Sequence, residues 1–185
     1  MKDDIFVIIL LRKVVSMEFD KVLEKRVSSR KFTDEKISSE EIEKLLEAGQ
    51  KSPIGNGAYD SVRLTVIQDK SLIEEMSKEY NEMKNKKADS LFGASTFIMV
   101  SSNKENSCAY EDAACLIHTI CLKATEMGLG SCYIRGLVNA LGPDATYVKK
   151  LNLPQAFRPI SGLVLGKVDS DLVGKDHQIE INYIV

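Results

Sequence analysis

The chain has no tryptophan, only 4 prolines, and no CxxC pair among its 4 cysteines. No internal repeat and no low-complexity tract is visible in its 185 residues. Three of the cysteines lie along one predicted helix, which reads as reduced thiols in a cytoplasmic protein and not as a disulfide framework. Basic residues are not in excess. With a formal net charge of −2 and a pI near 5.8 there is no broad basic face, so bulk nucleic-acid affinity is excluded. A membrane-spanning run is also missing. The apolar stretch "IFVIILL" at residues 5–11 is far too short to cross a bilayer as a helix. It has acidic residues before it, basic residues after it and no small-residue cleavage site, so it is a poor signal peptide. Met17 opens "MEFDKVLEKR", which reads as a natural start. Residues 1–16 are therefore either an upstream start-codon artefact or an extra strand that needs a partner. Residues 17–185 are expected to form a single domain, the default at this length, with ample core.

What is present has the balance of a soluble globular domain, 44% hydrophobic and 28% charged. Phe19, Val22 and Leu23 recur at helical spacing and predict a short helix over residues 18–26. Ser38 and Glu41 form a capping box before the stripe of Ile42, Leu45 and Leu46. The Gly- and Pro-containing "KSPIGNGAYD" is a loop, and the alternating, β-branched "SVRLTVI" is a strand. Ser71 with Glu74 predicts a second capping box, opening a helix with Ile73, Met76, Tyr80 and Met83. "NKKADS" reads as a mobile, solvated stretch, and "STFIMVSS" as a buried strand. Residues 110–127 predict a long helix, apolar on nearly every side and therefore central, stopped by the glycine signal of "GLGS". "CYIRG" is a short strand, residues 143–151 a last helix with Pro143 in its first turn, "PISGLVLGKV" a strand, and "EINYIV" a further one. Helices and strands alternate without a regular βαβ beat. The fold class is α+β: a mostly antiparallel sheet flanked by helices.

One segment concentrates charge and hydroxyls. "KRVSSRKF", residues 25–32, carries Lys25, Arg26, Arg30 and Lys31 with Ser28 and Ser29. An arginine fork binds phosphate oxygens in pairs, and a serine hydroxyl adds one donor. Arg26, Ser28 and Arg30 alternate, so in an extended segment they could face one anion. The bland reading is a solvated basic turn.

Four separated features decide between these. They are the R-x-S-x-R-x-F run after a first helix, "SPIGNG" after the second, "FGAS" before a strand, and "ED" opening a long helix that ends "GLGSCYI". "LNLP" and a strand ending in glycine follow near the end. In order and spacing the chain from Met17 onward resembles the nitroreductase family, the FMN-dependent NAD(P)H oxidoreductases. The resemblance implies a nitroreductase-like sandwich, dimerised by exchange of terminal segments, with FMN at the interface and NADH or NADPH as co-substrate. It implies that Arg26, Val27, Ser28 and Arg30 hold the FMN phosphate and ribityl chain. By the same resemblance Pro53, Ile54, Gly55 and Asn56 reach the partner's flavin ring, and Tyr133, Ile134 and Arg135 pass the flavin with Gly136 allowing close approach. Flavin supplies the chemistry in this family, so no catalytic side chain is assigned. No Rossmann fingerprint is present to separate NADH from NADPH. The expected partners are a small-molecule substrate and a second copy of the chain, with no nucleic acid, membrane or metal.

The sequence departs from the family pattern in places. Tyr59 stands near the position where a tryptophan is common. His118 and Thr119 replace the usual amides. No arginine lies near the C-terminus, so Lys175 is the candidate to complete the phosphate site, ahead of Lys167 and His177. Rival readings use the long helix. Glu111, Cys115, His118 and Cys121 fall at metal-ligand spacing, and Cys115 with His118 at nucleophile spacing. The simpler reading is a buried helix with cysteine as a small hydrophobe and His118 satisfied in the core. Two further readings keep the fold without turnover: a flavin store or sensor, and a scaffold that has lost its cofactor.

Overall fold

Seven consecutive buried residues make β2, Thr96–Ser102, the middle of the molecule. A strand with no exposed residue must be covered on both faces, and period-2 alternation divides its side chains between two cores. Ile98 and Val100 point into one core with α2 (Ser39–Gln50) and α4 (Cys108–Glu126). Phe97 and Met99 point into the other with α3 (Lys70–Lys84) and the short α5 (Gly136–Leu141). The computed structural model describes residues 17–184, so the extension over residues 1–16 and its apolar run lie outside the described residues.

The sheet has four strands in the order β1-β2-β4-β3, all antiparallel, with β1 at Val62–Ile67, β3 at Gly130–Ile134 and β4 at Arg158–Gly166. The β2–β4 register slips between Val100, which faces Ser161, and Ser101, which faces Pro159. A bulge there accommodates a proline that has no N–H for the ladder. Helices lie on both faces, giving the α+β sandwich expected from the sequence.

Gly162 shows how tightly the layers close. It pairs with Met99 and Ile134, and a Cβ built on it would run into the Phe97 ring, itself fully buried. Overpacking a closed core costs about 1–3 kcal/mol. Gly162→Ala is expected to lower the unfolding free energy by that amount, measured by urea titration.

The first capping box forms as expected. Ser38 Oγ accepts from Glu41 N–H at 3.2 Å, and Glu41 Oε2 accepts from Ser38 N–H at 2.9 Å. Glu41 also receives Lys167 Nζ at 2.5 Å, which ties α2 to the end of β4. Partial burial pushes the Glu41 carboxyl up, but the Lys167 and Ser38 hydrogen bonds together outweigh it and hold the carboxyl below its ordinary 4.5. A carboxyl depressed in the folded state stabilises fully above its unfolded value and loses that contribution as pH falls through the folded one. The Glu41→Gln variant should therefore show a flatter fall in Tm than the native chain as pH drops below about 4.5.

The second capping box does not form. Asp69 caps α3 instead, its Oδ1 accepting from the N–H groups of Ser71 at 2.9 Å and Leu72 at 3.3 Å. A carboxylate is as good an N-cap acceptor as serine and also meets the positive end of the helix dipole. The last predicted helix is also redrawn. α5 ends at Leu141, Gly142 turns the chain with φ 71°, and only a 3-10 turn follows at Thr146–Lys150. The "EINYIV" segment is not a strand through residue 184. Ile179, Ile181, Tyr183 and Ile184 are 66–92% exposed, because no sheet edge among the described residues pairs with them.

The long helix α4 is less buried than its composition suggests. Ala113, Leu116, Ile117 and Ile120 face the core, but Glu111, Cys115 and His118 form an outward stripe. His118 is thus not a core histidine, nor is Cys115 a buried thiol. The segment after α3 is solvated as expected, residues 85–89 all being exposed, but hydrogen bonds hold it. Asp89 accepts from Ser77 Oγ and from the N–H groups of Leu91 and Gly93, while Asn81 Nδ2 donates to the Ala88 carbonyl at 2.8 Å.

Candidate functional site

The short helix α1, Phe19–Lys25, ends where Arg26 donates its N–H to the Val22 carbonyl. The chain then runs extended along the free edge of β3. Ser28 bridges Ser131 in parallel, and Ser29 N–H donates to the Ser131 carbonyl at 2.8 Å. That pairing fixes the side chains on either side of it. Arg26 and Ser28 border a concavity of about 330 Å³ with Ile117, His118, Cys121 and Tyr133. Arg30 borders a neighbouring one of about 340 Å³, closed by residues 168–173, and Ser28 is common to both. Burial pushes the Cys121 thiol up to about 11, more than the Ser131 hydrogen bond and the Arg26 charge pull it down. Cys132 is raised by burial in the same way, against Arg30 and Ser28. Both thiols therefore stay neutral near pH 7 and offer the arginines no counter-charge. Among the described residues the Arg26 side chain has no hydrogen bond or ion pair, and Arg30 makes only a 3.5 Å bond to the Ser28 carbonyl.

The "SPIGNG" loop is pinned to α4. Asp112 is 5% exposed; its Oδ1 accepts from Gly55 N–H at 2.8 Å and its Oδ2 pairs with Lys104 Nζ at 2.6 Å. Lys104 Nζ also donates to the Gly55 carbonyl at 3.1 Å, so both backbone groups of Gly55 are held. Ser52 Oγ donates to Thr119 Oγ1 at 2.8 Å, which adds a second tether. Beyond the tethers, Pro53 and Asn56 are exposed, Asn56 with φ 60° and ψ 15°, and Ile54 is buried. Asp112 stands in the family-like "ED", but its pairing with Lys104 has no family signature in the sequence. Its signal was a lone carboxylate on the apolar face of a helix, which needs a buried partner.

Tyr133, Ile134 and Arg135 lead from β3 into α5. Tyr133 and Arg135 are exposed, Ile134 is buried, and Arg135 lies over the Tyr110 ring at 5.0 Å. A Cβ at Gly136 would meet nothing within 4 Å, so the backbone there is open to approach. These residues share a concavity of about 400 Å³ with Tyr80, Lys86 and Lys87.

Lys175 is exposed in the irregular tail after β4, while Lys167 is committed to Glu41. All 4 cysteines are unpaired. Among the described residues no group of three or more His, Cys, Asp or Glu side chains could hold a metal ion. Glu111, Cys115 and His118 lie on the outward stripe of α4 whereas Cys121 is buried, so helical spacing alone does not make them a ligand set. No helix among the described residues is long and apolar enough to cross a membrane.

The fit of these residues to a flavin mononucleotide can be judged on their own chemistry. A phosphate needs fork donors and hydroxyls not already neutralised, and Arg26, Ser28 and Arg30 supply them. A flat ring needs open backbone and apolar flanks, and residues 53–57 and 133–136 supply those. The donor set fits.

Several solved structures share the fold. A nitroreductase with bound FMN from Bacteroides fragilis is 23% identical over 92% of this chain and 98% of that chain, at a TM-score of 0.75. A nitroreductase with bound FMN from Desulfitobacterium hafniense is 22% identical over 91% and 99%, at 0.74. An FMN-dependent nitroreductase from Clostridium difficile is 24% identical over 90% and 99%, at 0.73. At such identities the likeness establishes the fold. No curated protein matches the chain. The nitroreductase family model matches residues 23–167, which hold both arginines, the clamped loop and the whole sheet, and the chain belongs to the nitroreductase family.

Proposed function

We propose that this chain is an FMN-dependent oxidoreductase that passes reducing equivalents from NADH or NADPH to an electron-poor acceptor such as a nitroaromatic or a quinone. The observation that carries the reading is the pair of arginines flanking Ser28 on the edge of β3, neither of them ion-paired among the described residues. FMN, when bound, would supply the hydride-transfer chemistry. The chain's own residues bind and orient. Arg26 and Arg30 anchor the phosphate, Ser28 adds a hydroxyl donor, and Val27 brings backbone to the ribityl chain. Tyr133, Ile134 and Arg135 flank the ring, and Lys175 supplies a further cation. No side chain is assigned a proton.

The site is completed by a second copy. Ile54 borders a concavity with Leu116 of α4, whereas Arg26 borders one with Ile117, His118 and Cys121. The loop of residues 53–56 therefore does not join the arginines of its own chain at one concavity and is assigned to the partner's flavin. The exposed apolar side chains of Phe19, Leu23 and the tail from Ile179 to Ile184 are the surface a homodimer would cover. The unpaired thiols suit the cytoplasm.

The visible spectrum of the purified protein, before and after anaerobic addition of NADH or NADPH, is the test. Flavin bands that bleach are expected. Bands that persist would identify a flavin store or sensor. A colourless protein that ignores added FMN would reduce the arginine segment to a basic turn.

A further inference from the structure

The concavity beside Tyr133, Ile134 and Arg135 has a cationic wall of which the oxidoreductase reading uses Arg135 alone. Lys86, Lys87 and Arg135 all line it, together with the Tyr80, Phe92 and Tyr133 rings. None of the three cations has a carboxylate partner among the described residues. Asp89 is the acid on the lining, and its oxygens are already taken by Ser77, Leu91 and Gly93. The lining thus holds three positive charges against one negative, on a chain whose formal net charge is −2. Such a concentration attracts anions through local field and not through bulk charge.

The wall is held in place. Asn85 closes α3 in the left-handed conformation, with φ 51° and ψ 46°. Lys86 N–H then returns to the Asn81 carbonyl at 2.9 Å, and Ser90 Oγ donates to Asn81 Oδ1 at 2.6 Å. Lys86 Nζ rests 4.8 Å from the Tyr80 ring centroid, which keeps its charge on the cavity side. Two lysines on an anchored turn lose less freedom on binding a ligand than two on a free loop.

We propose that this wall recognises the 2′-phosphate of NADPH, so that the protein prefers NADPH to NADH. The inference rests on the oxidoreductase reading, since residues 133–136 are where that reading places the flavin and where a donor must come. The two donors differ only in that 2′-phosphate. It carries about −1.5 to −2 charge near neutral pH, where NADH has a neutral hydroxyl. Lysine serves as a point-charge partner for it and Arg135 as a fork.

Binding of NADP+ and NAD+ to the FMN-loaded protein, measured by calorimetry at several salt concentrations, tests this. NADP+ should bind roughly tenfold more tightly, the modest factor expected of exposed cations, and its advantage should shrink as salt rises. In the Lys86→Ala, Lys87→Ala double variant the NADP+ to NAD+ ratio should fall towards one, with the unfolding midpoint as the control for folding. Equal affinities in the native protein would overturn the proposal. So would a double variant that keeps the ratio but loses rate with 4-nitrobenzoate relative to nitrobenzene, which would give the wall to an anionic acceptor. Flavin that neither donor reduces would defeat the oxidoreductase reading instead, while the affinity ratio still decides this one.

Discussion

Arg26→Ala should weaken FMN binding by roughly 1.5–3 kcal/mol, the worth of a charge-assisted hydrogen bond, which is a loss of about ten- to a hundredfold in affinity. The reason is what Arg26 lacks. It lies beside a neutral buried thiol and an extended backbone, with no acid in reach among the described residues. A guanidinium so placed has its full charge free for a ligand. It also contributes no hydrogen bond to the fold, so the unfolding midpoint of the flavin-free protein should hardly move. Arg26→Lys should recover part of the affinity, because an ammonium keeps the charge but loses the fork. Fluorescence titration of flavin into the stripped protein reads both affinities, and urea unfolding of the flavin-free protein reads the midpoint. Unchanged affinity in Arg26→Ala would show that the phosphate lies elsewhere, and Lys175 or Arg30 would become the first place to look.

Asp112→Ala should be the most damaging single change to the fold, at about 3–5 kcal/mol. Breaking a buried pair from one side costs more than the pair contributes, because the partner charge stays behind. Here Lys104 is only 14% exposed at its side chain, and it would keep just the Gly55 carbonyl. Gly55 N–H would lose its acceptor as well. A long lysine can swing towards solvent, which favours the lower end of the range. Asp112→Asn separates the two losses. It keeps an acceptor for Gly55 N–H while removing the charge opposite Lys104, so it should destabilise less than alanine. If the loop of residues 53–56 completes the partner's flavin site, Asp112→Asn should also raise the FMN dissociation constant while still folding. Urea unfolding and FMN titration of the same preparation give both values. An alanine variant as stable as the native chain would mean that the clamp is dispensable.

These two residues were unequally visible in the sequence. Arg26 stands in a dense run of cations and hydroxyls, and nothing about its partners was needed to notice it. Asp112 was seen only as half of "ED". Its role depends on Lys104, eight residues earlier, and on Gly55, more than fifty residues earlier, and no local pattern links the three. Ser71 fails for a related reason. The box of Ser71 and Glu74 was a sound local pattern, but Asp69 lay within reach and is the stronger cap. The α4 stripe of Glu111, Cys115 and His118 shows a third limit. Composition gave a buried helix, but which face is covered depends on what packs there, and α2 with the sheet covers only one broad side.

Periodicity, capping and turn chemistry, which are properties of neighbours along the chain, located the four strands, four of the five helices and the α+β class, while the resemblance of separated motifs pointed to the family. They also marked the arginine segment, because charge density is local. Only the tertiary structure decided that Ser28 bridges Ser131 on the edge of β3, that Asp112 and Lys104 clamp Gly55, and that Lys86, Lys87 and Arg135 line one concavity. Each of those joins residues tens of positions apart. Their proximity follows from closing two cores around one sheet, a packing condition that the chain satisfies as a whole and that no short segment encodes.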